Sequence, residues 1–295
     1  MNQPIQQSSN RPPHSPLVCP ACETALEWNE KECRCAKNHS FDLAKEGYAN
    51  LLLSHQRRSS HPGDDDKMIQ ARRRFFDSGV FDPLSNLINK TIQTLHLQTH
   101  TLTHSVFSLL DCGCGEGHFL GILSESCEGQ FFGVDVSKEA VRCAAKRYKK
   151  AKWIVANGMR TLPFADHSLD VILSVLAPRN PPEFARILKP NGAQILGVPG
   201  PNHLIELRSR LAANAGDFEE KADEAVVKCA PHFTETHREL LSYEITLSAT
   251  QIADLIQMTP IFWCSRPEAK ISAQQLDHLT VTVSFVLLSF RPTTL

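Results

Sequence analysis

Three absences frame this chain of 295 residues. No apolar run approaches the roughly 20 residues that a membrane-spanning helix needs. The nearest, Val281 to Phe290, alternates with Ser and Thr nearby and reads as a strand. Charge of one sign is not in excess: 31 basic residues face 32 acidic ones, for a formal net charge of −1. No global positive field therefore attracts nucleic acid, and any such partner must be held by local basic patches. The opening MNQPIQQSSNRPPHSP lacks the basic and apolar regions of a secretory leader. Cysteine, in contrast, is plentiful. Ten cysteines without an export signal favour a reducing compartment, with metal or core roles rather than disulfides. The expectation is a cytoplasmic protein with no membrane contact.

Residues 1–16, rich in Gln, Ser, Asn and Pro, read as a disordered tail. Residues 17–40 hold a Cys/His cluster and read as a zinc-binding module. Residues 41–85 read as a basic linker with a helix, in which Asp64 to Asp66 suit the first turn and Gly79 the stop. A second helix is expected from Asp82 to about Leu97, with QTHTLTHS as a loop. Residues 86–295 form the remaining domain. From Val106 onward short apolar runs alternate with helical patterns, which predicts an α/β fold: a Rossmann-like, seven-stranded, mostly parallel sheet covered on both faces. The acidic stretch DFEEKADEA, 217–225, reads as a solvated helix face.

The sequence LLDCGCGEG places Asp111, Gly113, Gly115 and Gly117 between a strand and a helix. Glycines there let the backbone turn sharply and approach a ligand. A dinucleotide site would require a third glycine at position 118, which is His118. The pattern acid-x-Gly-x-Gly-x-Gly instead resembles the first motif of class I S-adenosylmethionine (SAM) methyltransferases, whose loop packs against the amino acid part and ribose of the donor. Asp135 ends the next strand, 18 residues past Gly117, where a carboxylate can accept both ribose hydroxyls. Cys112 and Cys114 read as small packing residues. Asn180-Pro181-Pro182 matches the start of the (D/N)-P-P-aromatic motif of DNA and RNA amino-methyltransferases, but it sits late and is followed by Glu183, so it reads as a turn opening a helix. No cysteine stands there for cytosine C5 chemistry. His203, just past the fifth strand, is a candidate contact to donor or substrate and the one candidate catalytic residue.

Cys19-x2-Cys22, twelve residues, then Cys35-x3-His39 form two ligand pairs suited to tetrahedral zinc. Four protein ligands leave no open position, so the metal would be structural. Cys33 competes with Cys35 for the third position. Together with FDLAKEGYANLL, MIQARRRFFDSG, LAPRNPPEFARILKPNG and PGPNHLIEL, this finger resembles the bacterial 23S rRNA (guanine-N1)-methyltransferases of the RlmA type over roughly residues 17–290. The resemblance implies zinc on Cys19, Cys22, Cys35 and His39. It also implies SAM contacts from Gly115, Glu116, His203 and Phe81, which stands where the family has tyrosine.

Arg57, Arg58, Lys67 and Arg72 to Arg74 cluster in the linker, where phosphate contact is expected, with Arg57, Arg58, Arg72, Arg73 and Arg74 as the RNA-binding candidates. A second run, Lys146, Arg147, Lys149, Lys150 and Lys152, reads as a solvated face. The favoured reading is SAM-dependent methylation of guanosine N1 in a stem-loop of 23S rRNA. The rivals are a small-molecule SAM methyltransferase and a non-catalytic, zinc-dependent RNA-binding protein. A homodimer is left open.

Overall fold

The expected alternation produces one large sheet with helices on both faces. The molecule, a computed structural model, describes residues 15–53, 64–103, 106–211, 221–259 and 267–293. A small antiparallel sheet comes first, built from β1 (Leu26–Trp28), β2 (Glu32–Cys35) and β3 (Ser40–Asp42). Next come β4 (Tyr48–Asn50), α1 (Asp66–Asp77) and α2 (Asp82–Thr103). The alternating part runs β5 (Ser108–Cys112), α3 (His118–Ser126), β6 (Gln130–Asp135), α4 (Lys138–Arg147), β7 (Lys152–Val155), β8 (Leu169–Val175), α5 (Pro181–Ile187) and β9 (Leu188–Pro199). It is followed by α6 (Ile205–Arg210), α7 (Lys221–Cys229), β10 (Phe233–Ser248), α8 (Ala249–Met258), a helix at Pro267–Gln274, and β11 (His278–Pro292).

The large sheet has the order β10-β11-β9-β8-β5-β6-β7-β4. All pairs from β9 to β4 are parallel, and β11 and β10 join antiparallel at the other edge. The fold class is as expected, but the strand count is corrected from seven to eight. The extra strand, β4, comes from the presumed linker and pairs Tyr48 to Asn50 with Trp153 to Val155. The expected boundary at 85/86 falls inside α2. That helix also continues through the expected loop as far as Thr103. QTHTLTHS contains neither Gly nor Pro, so nothing in it breaks a helix. Earlier in the helix, the Thr91 and Thr94 hydroxyls bond to carbonyls one turn back, at Leu87 and Lys90.

Local capping explains where α1, α4 and α8 begin. Asp65 accepts from the Met68 N–H at 2.9 Å, Ser137 caps Ala140, and Ser248 with Gln251 forms a capping box. Gly79, at φ +79°, follows the α1 C-cap Ser78. Pro181 and Pro182 open α5 as the sequence suggested.

The small sheet is fastened to the large one. Leu17 bridges to Phe164, and the Val18 N–H donates to the Pro163 carbonyl at 3.0 Å. Leu17, Leu26 and Cys33 are fully buried in the apolar cluster that also holds Phe132, Ile154 and Phe164. The Lys152 ammonium lies between the rings of Trp28 (5.9 Å) and Phe132 (5.7 Å), a cation–π bridge between the two sheets. Of the expected tail, 1–14 lie outside the described residues. Pro16 is fixed, its carbonyl accepting from the Ala165 N–H at 2.9 Å.

Trp153 on β7 supports the glycine loop from below. It is 1% exposed, its Nε1 donates to the Tyr148 carbonyl at 2.8 Å, and a Cβ on Gly117 would stand 2.6 Å from its ring. Trp153→Ala is expected to lower the unfolding free energy by about 3–5 kcal/mol. Urea midpoints at unchanged slope would show it; a loss below about 1 kcal/mol would contradict this packing role.

Candidate functional site

The strand tips of β5, β6, β8 and β9 open into a cavity of about 630 Å³, within the range of small-molecule sites. The loop after β5 forms its floor. Gly113 (φ +84°) and Gly115 (φ +54°) take backbone angles that favour glycine, and a Cβ at Gly113 would collide with Ala177. The Gly113 and Cys114 N–H groups donate to the Val134 carbonyl at 2.8 and 3.0 Å. Gly117, also left-handed, is the N-cap of α3.

Asp135 ties loop and strand tip together. Its Oδ2 accepts from the Gly115 N–H at 2.9 Å and its Oδ1 from the Ser137 N–H at 2.8 Å. Burial raises its pKa, and those two amides pull it back. Asp111 and Glu116 are each 2% exposed, and Asp111 Oδ2 and Glu116 Oε1 have no hydrogen-bond partner among the described residues. Burial pushes Asp111 up to about 8, helped by the neighbouring Asp135, and pushes Glu116 up to about 7. Two buried acids with unpartnered oxygens in one cavity suit a cationic ligand. Asp135 keeps acceptor lone pairs for ribose hydroxyls, and the loop gives the close approach SAM needs. The residues present fit SAM.

His203 lines the same cavity on a loop where Asn202 and Leu204 both have positive φ. Its Nδ1 accepts from the Ser284 N–H at 3.2 Å, and its ring lies 4.5 Å from Phe285. Burial lowers its pKa to about 4. A neutral imidazole accepting at Nδ1 carries its proton on Nε2, which makes His203 a donor rather than a proton acceptor. Phe81 is 2% exposed and packs edge-on against Phe285.

Several lining residues carry no local signal in the sequence. His118 stacks on Phe76 at 4.4 Å, its Nε2 3.1 Å from Ser85 Oγ, and burial holds its pKa near 4. Asp64 precedes α1, Arg72 and Phe76 come from its body, and Met258 and Thr259 from the end of α8. The arginine triplet is divided among three acidic partners. Arg72 turns into the cavity and pairs with Asp64 at 2.5 Å, Arg73 lies 3.9 Å from Asp77, and Arg74 is bound by Asp254. Arg57 and Arg58 lie outside the described residues. In the second basic run Arg147 pairs with Asp77 and Lys150 with Glu125, while Lys149 donates to the Ala145 and Glu46 carbonyls.

At the other end, Cys19, Cys22, Cys35 and His39 bring one ligand atom each within 4.8 Å of one another. Cys22 Sγ lies 3.7 Å from Cys35 Sγ, and His39 Nδ1 lies 3.3 to 3.6 Å from the three sulfurs. Tetrahedral bonds of about 2.3 Å to sulfur and 2.0–2.1 Å to nitrogen imply S···S and S···N separations of roughly 3.6–3.8 Å. The four donors fit zinc in a closed, structural site. Cys33 stands outside this group, fully buried, with its thiol pushed up to about 12.

Comparison with known proteins agrees with both sites. A zinc-ribbon family described as "RlmA, N-terminal" matches residues 17–60, and a "Methyltransferase domain" family matches residues 110–196. The 23S rRNA (guanine(748)-N(1))-methyltransferase of Streptomyces fradiae is 32% identical over 94% of this chain and 96% of its own length. YxjB of Bacillus subtilis, provisionally named a 23S rRNA (guanine-N(1)-)-methyltransferase, is 32% identical over 92% of this chain and 95% of its own. A protein of Micromonospora griseorubida with the same provisional name is also 32% identical, over 95% and 98%. With its ribbon, donor cavity and near-full-length match, the chain belongs to the 23S rRNA (guanine-N1)-methyltransferase family.

Proposed function

We propose that this chain transfers a methyl group from SAM to N1 of one guanosine in a stem-loop of 23S rRNA. The observation that carries this reading is the 32% identity, over 94% of the chain, to the S. fradiae 23S rRNA (guanine(748)-N(1))-methyltransferase, in a chain that itself joins a zinc ribbon to a donor cavity. When bound, SAM supplies a sulfonium methyl group that guanine N1 can take in line, N1 losing its proton and sulfur leaving with the bonding pair. The chain's task is positioning, which supplies most of the barrier reduction in such transfers. Asp135 and the loop hold ribose, Asp111 and Glu116 face the positive charges, and the neutral His203 ring presents an N–H for hydrogen bonding in the cavity wall. N1 lies on the Watson–Crick edge, so the base must be unpaired or flipped out. Met159 and Leu176 line the cavity yet are 47% and 48% exposed, and they give an unstacked base apolar lips to rest against. Leu176 is held there at φ +52°. The ribbon, anchored to the sheet, grips the hairpin with the segment that follows it. The rRNA substrate supports a cytoplasmic location. Among the described residues no helix is long and apolar enough to cross a membrane.

The test is primer extension on rRNA from a deletion strain, because N1-methylguanosine blocks reverse transcription. Loss of one stop names the nucleotide; an unchanged pattern removes the rRNA assignment. Transfer of tritium from labelled SAM to small molecules, or to nothing, would favour the two rivals instead.

The donor reading also predicts a proton count. Asp111 and Glu116 are held up to about 8 and 7 by burial, so near pH 7 they carry protons when the cavity holds no ligand. At pH 7 that leaves Asp111 mostly and Glu116 about half protonated. A cationic donor lowers both, so binding releases protons, on the order of one to one and a half, and affinity rises with pH toward 8. Calorimetry of SAM binding in buffers of different ionisation enthalpy reads this directly. Proton uptake, or none exchanged, would contradict the role of the two acids.

A further inference from the structure

Arg72 is the part of the cavity for which the glycine-loop motif has no use. Four carboxylates line that cavity: Asp64, Asp111, Glu116 and Asp135. Among the described lining residues Arg72 is the one permanent cation. Three elements fix its position. Its Nη1 pairs with Asp64 Oδ2 at 2.5 Å, and its Nη2 donates to the Met258 carbonyl at 3.5 Å. Asp64 is itself held, since its carbonyl accepts from Ser137 Oγ at 3.0 Å at the start of α4. The guanidinium lies against the glycine loop: a Cβ on Gly115 would stand 3.3 Å from Nη1.

We infer that Arg72 binds the carboxylate of the donor's amino acid part, a role that rests on the SAM reading above. The donor carries two positive groups and one negative. The acids of the cavity suit the ammonium and sulfonium, but a carboxylate placed among four others would be strongly disfavoured without a counter-charge. A guanidinium presents five N–H donors in a planar fork, and Asp64 and Met258 engage only part of it. The fork can therefore take a second carboxylate while Asp64 keeps it aimed. This role separates Arg72 from Arg73 and Arg74, whose side chains are 38% and 62% exposed against 22%.

The test compares two ligands on the full-length, zinc-loaded protein: S-adenosylhomocysteine and its decarboxylated counterpart, identical except for the carboxylate. The wild type should prefer S-adenosylhomocysteine by about ten-fold or more, the worth of a charge-assisted hydrogen bond. Arg72→Gln should weaken S-adenosylhomocysteine by a similar factor and leave the decarboxylated ligand unchanged, so the preference disappears. Arg72→Lys should retain part of it. Equal weakening of both ligands would overturn the inference in favour of a purely structural role. A preference that persists in Arg72→Gln would overturn it outright while leaving the SAM reading intact. A wild type that binds neither ligand would sink both.

Discussion

Cys35→Ser is expected to abolish zinc retention and, with it, methyl transfer to rRNA, while Cys33→Ala retains the metal. The two residues are neighbours on β2 and share one face, yet their surroundings differ completely. Cys35 Sγ stands 3.7 Å from Cys22 Sγ and 3.5 Å from His39 Nδ1, whereas Cys33 is fully buried and sits between Trp28 of β1 and Phe41 of β3 in the strand register. The small sheet has strands of three or four residues. So little structure cannot stand on its own apolar contacts. Structural zinc supplies about 10–16 kcal/mol in isolated finger peptides, as much as the whole stability of an ordinary domain. Removing one of four ligands should therefore unfold the ribbon, while Cys33→Ala removes only a small buried group, at about 1–2 kcal/mol. Metal content by plasma emission, alongside tritium transfer to rRNA, checks both arms. A full zinc equivalent in Cys35→Ser, or none in Cys33→Ala, would reverse the ligand assignment.

The second large effect is expected from Asp135→Ala, which should weaken S-adenosylhomocysteine binding by about 10²–10³-fold. One carboxylate here serves both the protein and the donor. It orders the loop through the Gly115 and Ser137 amides, and in the proposed donor complex its remaining lone pairs would accept from the ribose hydroxyls. Hydrogen bonds to a charged group contribute about 1.5–3 kcal/mol each, so losing two or more of them reaches that range. Asp135→Asn is no rescue, because its NH₂ would meet one of two backbone donors. Calorimetry gives the affinity and thermal unfolding the fold. A dissociation constant within three-fold of wild type would show that the loop holds its shape, and the donor its place, without Asp135.

What could be read from the sequence was whatever lies close along it. The zinc ligands span 21 residues and the glycine loop with Asp135 spans 25, so spacing alone carried their geometry. The Cys33 and Cys35 alternatives part only at the turn that brings His39 back beside Cys35. The roof of the cavity was not legible: Asp64 reaches it from just before α1, Arg72 and Phe76 from α1, and Met258 from α8, with no local pattern to announce a meeting. The arginine triplet divides because three consecutive helical residues point about 100° apart. Arg72 went to the cavity, Arg73 toward Asp77 and Arg74 to Asp254. Strand β4 was missed for another reason. Three residues, Tyr48 to Asn50, are too few to display a period, and only the exposed edge of β7 makes them a strand.

That added strand bears on the order in which the molecule is made. As the chain emerges during synthesis, the ribbon can close on its metal at once, since its ligands are all local. Its sheet-facing side, Leu17 and Leu26, must then wait for Phe164, and β4 must wait for Trp153 about a hundred residues later. Contacts of such wide sequence separation form slowly. A nascent chain halted before β7 would therefore carry a finished metal knot beside an uncovered apolar face, a state open to aggregation. Pairing of β4 with β7 closes that interval and joins the first-made part of the molecule to the sheet beneath its donor cavity.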